Sequence, residues 1–548
     1  MRVADAVGRA LAAAGVDHVF GVVGSGNFHV TNALVDGGAR FVAARHEGGA
    51  VTMADAYARV SGRVAALSVH QGCGLTNAMT GLTEAAKSRT PLVAVAAEAS
   101  TPTSNFFVDQ DGLARAVGAV PARITGPATA VADAVAAVTT ARQHRRTVLL
   151  NLPLDVLGAH VGDATAREQL ARLAPVPEAD PVVPTEHDVE RLTAALRTAR
   201  RPILVAGRGA RSPAARDALV ALADRCGALL ATSAVAKGLF TGRPWDLDVS
   251  GGLATPLAAE LIGGADLIVG FGCALNMWTM RHGRLIAADA TVVQVDDTPE
   301  ALGVHRELTF GVVGDVAVTA EAVRAALGET TAAGYRTPEV ADRLARQSRW
   351  RDVPFDDVSD GERIDPRSLT VALDDLLPAE RVVAVDSGNF MGYPSMFLSV
   401  PDEQGFCFTQ AFQSIGLGLA SAVGAALARP DRLPVAALGD GGALMAAAEL
   451  DTVRRLGLPM VVVVYNDDAY GAELHHFEGE RLDTVTFPPT DIAAVGGGYG
   501  FDAVTVRRAA DLDAVAAWLS GPRERPLLID AKIRADEPSW WLAEAFGH

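Results

Sequence analysis

The chain has little cysteine, no excess of positive charge and no long hydrophobic run. Only four cysteines occur in 548 residues, Cys73, Cys226, Cys273 and Cys407, far apart and without metal-ligand spacing. That scarcity excludes a disulfide scaffold or a cysteine-held metal cluster, and it suits a reducing, cytoplasmic setting. The net charge of −17, with arginines scattered and no basic block, argues against nucleic acid or an anionic membrane as partner. The longest apolar runs, such as Leu458–Val464, fall well short of the roughly 20 residues that a membrane-spanning helix needs. Met1-Arg2-Val3-Ala4-Asp5 opens an amphipathic helix with an acid inside it, which does not read as a signal peptide.

What is present is a globular composition, 49% hydrophobic and 21% charged, in a chain long enough for about three domains. Short apolar runs alternate with helical spacing in three α/β blocks, 1–162, 188–333 and 366–548. The first holds expected strands at Val19–Val22, Phe41–Ala43, Val64–Val69, Leu92–Ala96 and Val148–Leu152. The second holds Ile203–Ala206, Leu229–Ala231, Leu267–Gly270 and Val292–Val295. The third includes Val382–Val385, Leu433–Leu438 and Pro459–Tyr465, with a helix expected over Ala443–Leu456. Two polar stretches, near Asp163–His187 and about Gly334–Asp365, read as linkers. Parallel sheets are expected in all three blocks.

The sharpest local feature lies in the third block. Strand Leu433–Leu438 runs into Gly439-Asp440-Gly441-Gly442, a turn too tight for side chains, and strand Pro459–Tyr465 ends at Asn466-Asp467-Asp468. In a βαβ unit both strand ends share one sheet edge, so Asp440 and Asp467 are expected to face each other. Such an edge offers backbone N–H groups to a phosphate and oxygen ligands to a hard cation, for which Mg²⁺ with substrate phosphates is the natural occupant.

With that spacing the chain resembles the thiamine diphosphate (ThDP) enzymes of the pyruvate decarboxylase, benzoylformate decarboxylase and acetohydroxyacid synthase group. The family signature, Gly-Asp-Gly, a spacer and Asn-Asn, is kept here except that Asp467 replaces the second Asn. The resemblance covers nearly the whole chain, in the order pyrimidine-binding, central and diphosphate-binding domain. It implies Asp440, Asp467 and the Ala469 carbonyl as Mg²⁺ ligands, with Gly439, Gly441, Gly442, Tyr470 and Gly471 around the diphosphate. Gly388 and Asn389, after strand Val382–Val385, are further diphosphate contacts.

Glu47, in Arg45-His46-Glu47-Gly48-Gly49, is by itself an ordinary first-turn acid. The resemblance makes it the carboxyl that binds pyrimidine N1′. A carboxyl in an apolar pocket favours its protonated form, and proton transfer to N1′ lets the cofactor's own 4′-amino nitrogen take the C2 proton. For that nitrogen to reach C2 the cofactor must bend over an apolar wedge, implied to be Ile415, while the Gln413 carbonyl takes the 4′-amino hydrogen. The family usually has Gly at position 413. On the residues alone Ile415 reads as core.

His70 and Ser25, each at the end of a first-block strand, match substrate-contacting polar residues of benzoylformate decarboxylase, and Gln110 matches a Gln of acetohydroxyacid synthases. His29 and His282 are weaker candidates. Glu473 and His476, three positions apart on one helix face, match the proton-handling Glu of pyruvate decarboxylases and a position facing substrate. The turns Gly207-Arg208-Gly209 and Gly270-Phe271-Gly272 are too short to signal a dinucleotide, and Ala274–Trp278 lacks the run that accompanies flavin in the synthases. FAD is therefore not expected.

The resemblance implies a 2-oxo acid substrate that loses CO₂, the remaining fragment being either protonated to an aldehyde or joined to a second carbonyl. It also implies a homodimer or homotetramer with active sites between chains. A catalytically silent ThDP-fold subunit would lack Glu47, Asp440 or Asp467, and all three are present. A nicotinamide or flavin oxidoreductase would need a full glycine fingerprint with an acid downstream, which is missing.

Overall fold

The computed structural model describes residues 1–329 and 333–545. Residues 330–332 and 546–548 of the expected second and third blocks lie outside the described residues. Three six-stranded, wholly parallel sheets succeed one another along the chain.

The first sheet contains β1 (His18–Gly21), β2 (Arg40–Ala43), β3 (Ala65–Val69), β4 (Leu92–Glu98), β5 (Val120–Arg123) and β6 (Thr147–Pro153), in the order β2-β1-β3-β4-β6-β5. The central sheet contains β7 (Pro202–Ala206), β8 (Leu229–Thr232), β9 (Asp246–Val249), β10 (Leu267–Phe271), β11 (Thr291–Asp296) and β12 (Phe310–Val313). Its order, β12-β11-β10-β7-β8-β9, is the doubly wound 3-2-1-4-5-6 arrangement read backwards. The third contains β13 (Arg381–Val385), β14 (Phe406–Phe408), β15 (Leu433–Gly439), β16 (Val461–Asn466), β17 (Asp502–Val506) and β18 (Leu527–Lys532). Its order, β14-β13-β15-β16-β18-β17, repeats the first sheet strand for strand.

Interior strands such as β3, β10 and β16 are buried at every position, because helices cover both faces of a parallel sheet. Six strands are not among the expected ones, and five of them (β5, β9, β12, β14 and β17) are sheet edges. An edge strand has one neighbour and partial exposure, so its sequence is mixed, as in Asp502–Val506.

Two expectations about helices need correction. The helix expected over Ala443–Leu456 is two short helices, Asp440–Met445 and Glu449–Arg455, and the first begins on the acidic residue of the turn itself. The two expected linkers are partly helical, at Asp163–Ala171 and Pro338–Gln347.

The first and third domains share one hydrophobic core. Helix Glu47–Ser61 packs on helix Gly418–Ala428, and a β-carbon on Gly424 would run into the Met53 carbonyl. Backbones this close require glycine there and fix the first and third domains against each other.

Candidate active site

In each sheet the chain turns back at a point where neighbouring strands send their connections in opposite directions. Ligands of open α/β sheets sit beyond the carboxyl ends of the strands at such a point. In the third sheet it lies between β13 and β15, and the residues just beyond these strands are Asp386 and Asp440, with Asp467 beyond β16.

Asp440 lies in the first turn of its helix and is buried. Burial pushes its carboxyl up to about 6. Burial also raises Asp467 well above the ordinary value, and the facing Asp440 charge raises it further. Two carboxylates held together away from water ask for a cation between them. Gly471 stands against Asp467, where a β-carbon would meet its carboxylate. Ala469 follows Asp468, which is held at φ 58°, and the 468–470 segment is pinned by Phe487 N–H to the Asp468 carbonyl (2.9 Å) and Tyr470 N–H to Val485 (2.9 Å). Among the described residues no group of three His, Cys, Asp or Glu side chains could hold a metal. Two carboxylates and a carbonyl leave room for waters and phosphate oxygens, the donor set Mg²⁺ prefers.

The Tyr470 ring packs over Gly441, and Gly439 lies against Phe390. The Asn389 Oδ1 accepts Ser539 N–H at 2.8 Å, and its carbonyl takes Ser539 Oγ and Trp541 Nε1, acceptors distinct from the N–H expected to meet a diphosphate. Its side chain therefore fastens the C-terminal segment. Ile415 is half-buried and belongs to none of the hydrophobic clusters, so it is not core. Gln413 adopts φ 60°, a left-handed conformation that costs a non-glycine residue about 1–2 kcal/mol. Glycine, which the resemblance leads one to expect at this position, adopts that conformation without the cost.

Sequence reasoning missed Asp386. It is fully buried, and its carboxylate accepts N–H groups from Ser387 (2.9 Å), Gly416 (2.9 Å) and Leu417 (3.2 Å). Burial pushes it up to about 6, against the pull of those donors. A β-carbon on Gly442 would strike the same carboxylate. Only a valine-rich strand ending in Asp marks it in the sequence.

The first sheet's edge gathers Ser25 after β1, Glu47 after β2 and His70 after β3. Glu47 opens helix Glu47–Ser61, is half-buried, and accepts Asn77 Nδ2 at 3.0 Å. Gly74 lies between His70 and Glu47, where a β-carbon would crowd both side chains. His70 Nδ1 is 2.9 Å from the Gln71 carbonyl and must donate there, so in the neutral ring Nε2 carries the lone pair and faces Ser25 Oγ at 3.4 Å. Phe106 stacks edge-on against the His70 ring.

Three expected residues sit elsewhere. Gln110 is 1% exposed and donates to Asn151 Oδ1 at 2.7 Å, so it braces β6 and offers no surface to a substrate. His29 points at Arg2 (3.0 Å), and His282 packs against Trp278. Glu473 and His476 do share a face of helix Gly471–His476, at 4.0 Å.

Family models for the thiamine pyrophosphate enzymes match all three domains. The N-terminal TPP binding domain covers residues 1–113, the central domain 189–323 and the C-terminal TPP binding domain 386–531. The chain belongs to the thiamine pyrophosphate enzymes. Among curated members of this family it is 29% identical over 527 residues to the probable 2-ketoarginine decarboxylase AruI of Pseudomonas aeruginosa, covering 93% of this chain and 89% of that protein. It is 27% identical to the sulfoacetaldehyde acetyltransferase of Rhodobacter capsulatus (91% and 88% covered). It is 26% identical to the acetolactate synthase isozyme 2 large subunit of Escherichia coli K12 (99% and 97%). As a thiamine pyrophosphate enzyme it carries the two TPP-binding domains on its first and third sheets, which explains their common strand order. No described helix is long and apolar enough to cross a membrane.

A cavity of about 620 Å³ opens at the central sheet's own turning point, between β7 and β10. Gln413 and Trp541 of the third domain form part of its wall.

Proposed function

We propose that this chain is a cytoplasmic, ThDP- and Mg²⁺-dependent enzyme that decarboxylates a 2-oxo acid without oxidation. The facing pair Asp440 and Asp467 is the observation that carries this reading. In it, these carboxylates and the Ala469 carbonyl hold Mg²⁺. Backbone N–H groups of Gly441, Gly442 and Gly388 meet the diphosphate. When bound, the cofactor supplies an acidic C2–H and an electron sink for the bond that breaks as CO₂ leaves.

The chain's own residues do the rest. Glu47 holds and returns the proton at pyrimidine N1′, with Asn77 orienting its carboxyl. The Gln413 carbonyl would accept a hydrogen bond from the 4′-amino group, and the Ile415 side chain would pack against the cofactor. His70 Nε2 and Ser25 Oγ face the substrate carboxylate. Glu473, paired with His476, delivers a proton to the fragment that remains.

The site needs a second copy of the chain. Glu47 and Arg59 lie at opposite ends of one helix, some 18 Å apart at the usual 1.5 Å rise per residue. Arg59 is the end that touches the segment leading to Ile415. Exposed apolar side chains gather near both edges: Phe28, Phe106 and Phe107 on the first domain, Phe412, Met445 and Phe477 on the third. A homodimer or homotetramer that brings one copy's first edge to its partner's third would cover both patches.

A carboligase is the second reading, supported by the likeness to acetolactate synthases. The burial of Gln110 removes the residue that favoured it. A panel of 2-oxo acids, including one with a guanidino side chain, assayed for CO₂ and aldehyde with and without an acceptor aldehyde or 2-oxo acid, separates the two. Aldehyde without acceptor supports decarboxylation; a hydroxyketone as sole product would overturn it.

A further inference from the structure

Segment 410–417 bears the two groups, the Gln413 carbonyl and the Ile415 side chain, that the proposed function sets against the pyrimidine end of the cofactor. It has no helix or strand of its own, and both Gln413 (φ 60°) and Gly416 (φ 86°) are left-handed. Something outside the segment must hold that shape.

Two buried carboxylates do so, one at each end. Glu84, 1% exposed on the first domain's helix Met79–Lys87, accepts the Ala411 N–H through Oε1 (3.0 Å) and the Phe412 N–H through Oε2 (2.6 Å). Asp386 accepts the Gly416 N–H through Oδ2 and the Leu417 N–H through Oδ1. Arg59 locks the first anchor, donating to Glu84 Oε1 at 2.7 Å and to the Phe408 carbonyl at 3.0 Å. Only residues 413–415 stand between the anchors.

We infer that Glu84 and Asp386 are positioning residues, a two-carboxylate clamp that fixes Gln413 and Ile415 at the cofactor and ties the wedge to the first domain. The clamp rests on the ThDP reading for its purpose, though not for its geometry. Each anchor must satisfy two N–H donors from consecutive residues. An ionised carboxylate offers two acceptor oxygens, whereas an amide offers one and turns an NH₂ against the other donor. Charge also makes each of these hydrogen bonds stronger than its neutral counterpart.

The test uses full-length enzyme with ThDP and magnesium, and variants Glu84→Gln, Glu84→Asp and Asp386→Asn. Deuterium uptake at thiamine C2, read by proton NMR after acid quench, reports whether the cofactor is held bent. ThDP titration reports affinity. The clamp predicts that C2 exchange slows by roughly tenfold to a hundredfold while affinity changes far less, because a small misplacement acts on the reacting geometry. Folded variants that exchange at the wild-type rate, or lose rate only in step with affinity, overturn it. Wild-type amide exchange without cofactor gives a second reading that needs no variant. Amides 411, 412, 416 and 417 are expected to be slow, and rapid exchange across all four overturns the clamp even if every variant misfolds. Wild-type protein that takes up no ThDP would sink the proposed function, while the amide pattern would still judge the clamp.

Discussion

Glu449 of the third domain grips the first domain at His46, accepting its backbone N–H at 3.0 Å, one residue ahead of Glu47. The same carboxylate takes the Arg45 N–H at 3.1 Å and Thr452 Oγ1 at 2.7 Å, and it is 3% exposed. The helix that begins at Glu47 is thus held at its start by the third domain. Glu449→Ala would leave two N–H groups without their acceptor. We expect a loss of about 1–3 kcal/mol in denaturant unfolding. Unchanged stability would show that water replaces the carboxylate there.

Glu47→Gln keeps the shape and the Asn77 contact but removes the exchangeable acid. Turnover should fall by about 10²–10⁴, the usual worth of a positioned acid–base group, with ThDP uptake by calorimetry little changed. Full turnover in this variant would remove Glu47 from the chemistry.

At the proposed metal site the Asp440–Asp467 pair should make binding pH-dependent. Both carboxyls are raised above the ordinary 3.8, Asp440 to about 6. Below pH 4 folded and unfolded chains alike hold these protons. Between about 4 and 6 the unfolded chain has lost them and the folded chain keeps them, so without metal the pair's contribution to stability declines as pH rises. Mg²⁺ needs the ionised forms. Its affinity should therefore climb with pH through this range, and binding near pH 6 should release protons, measurable by calorimetry in buffers of different ionisation enthalpy. Proton-neutral binding would place the metal elsewhere.

Arg59 neutralises two buried acids, bonding Asp55 and Glu84 at 2.6 and 2.7 Å. The Arg59 cation, with N–H groups of Ala411 and Phe412, holds Glu84 below its ordinary value although burial alone would raise it. Arg59→Met should cost about 3–5 kcal/mol by thermal or denaturant melting, since it strands both carboxylates. Adding Asp55→Asn, which removes one stranded charge and leaves the Glu84 anchor intact, should recover part of that stability. No recovery would mean the arginine acts through packing rather than charge.

The interior strands other than β18, the alternation into three parallel sheets and the facing of Asp440 and Asp467 were legible in the chain. Each follows from local pattern: an all-apolar strand buried on both faces, a glycine turn, an acid at a strand end. Four of the five missed edge strands are half-exposed and carry no such pattern, and the fifth, β14, is only three residues long. Gln110 shows the reverse failure. Its match to a family position says nothing of depth, and the fold buries it against Asn151.

Sequence alone determined the family and with it the expected kind of chemistry, because the Gly-Asp-Gly turn and the acid after the next strand are set by residue type and by spacing along βα units. Tertiary structure decided what holds those groups in place. Glu84, Asp386 and Glu449 bond to backbone N–H groups distant in the chain, and a backbone donor has no residue identity for a sequence to display. The same holds for the separation of Glu47 from the wedge segment, which is set by the length of the helix between them.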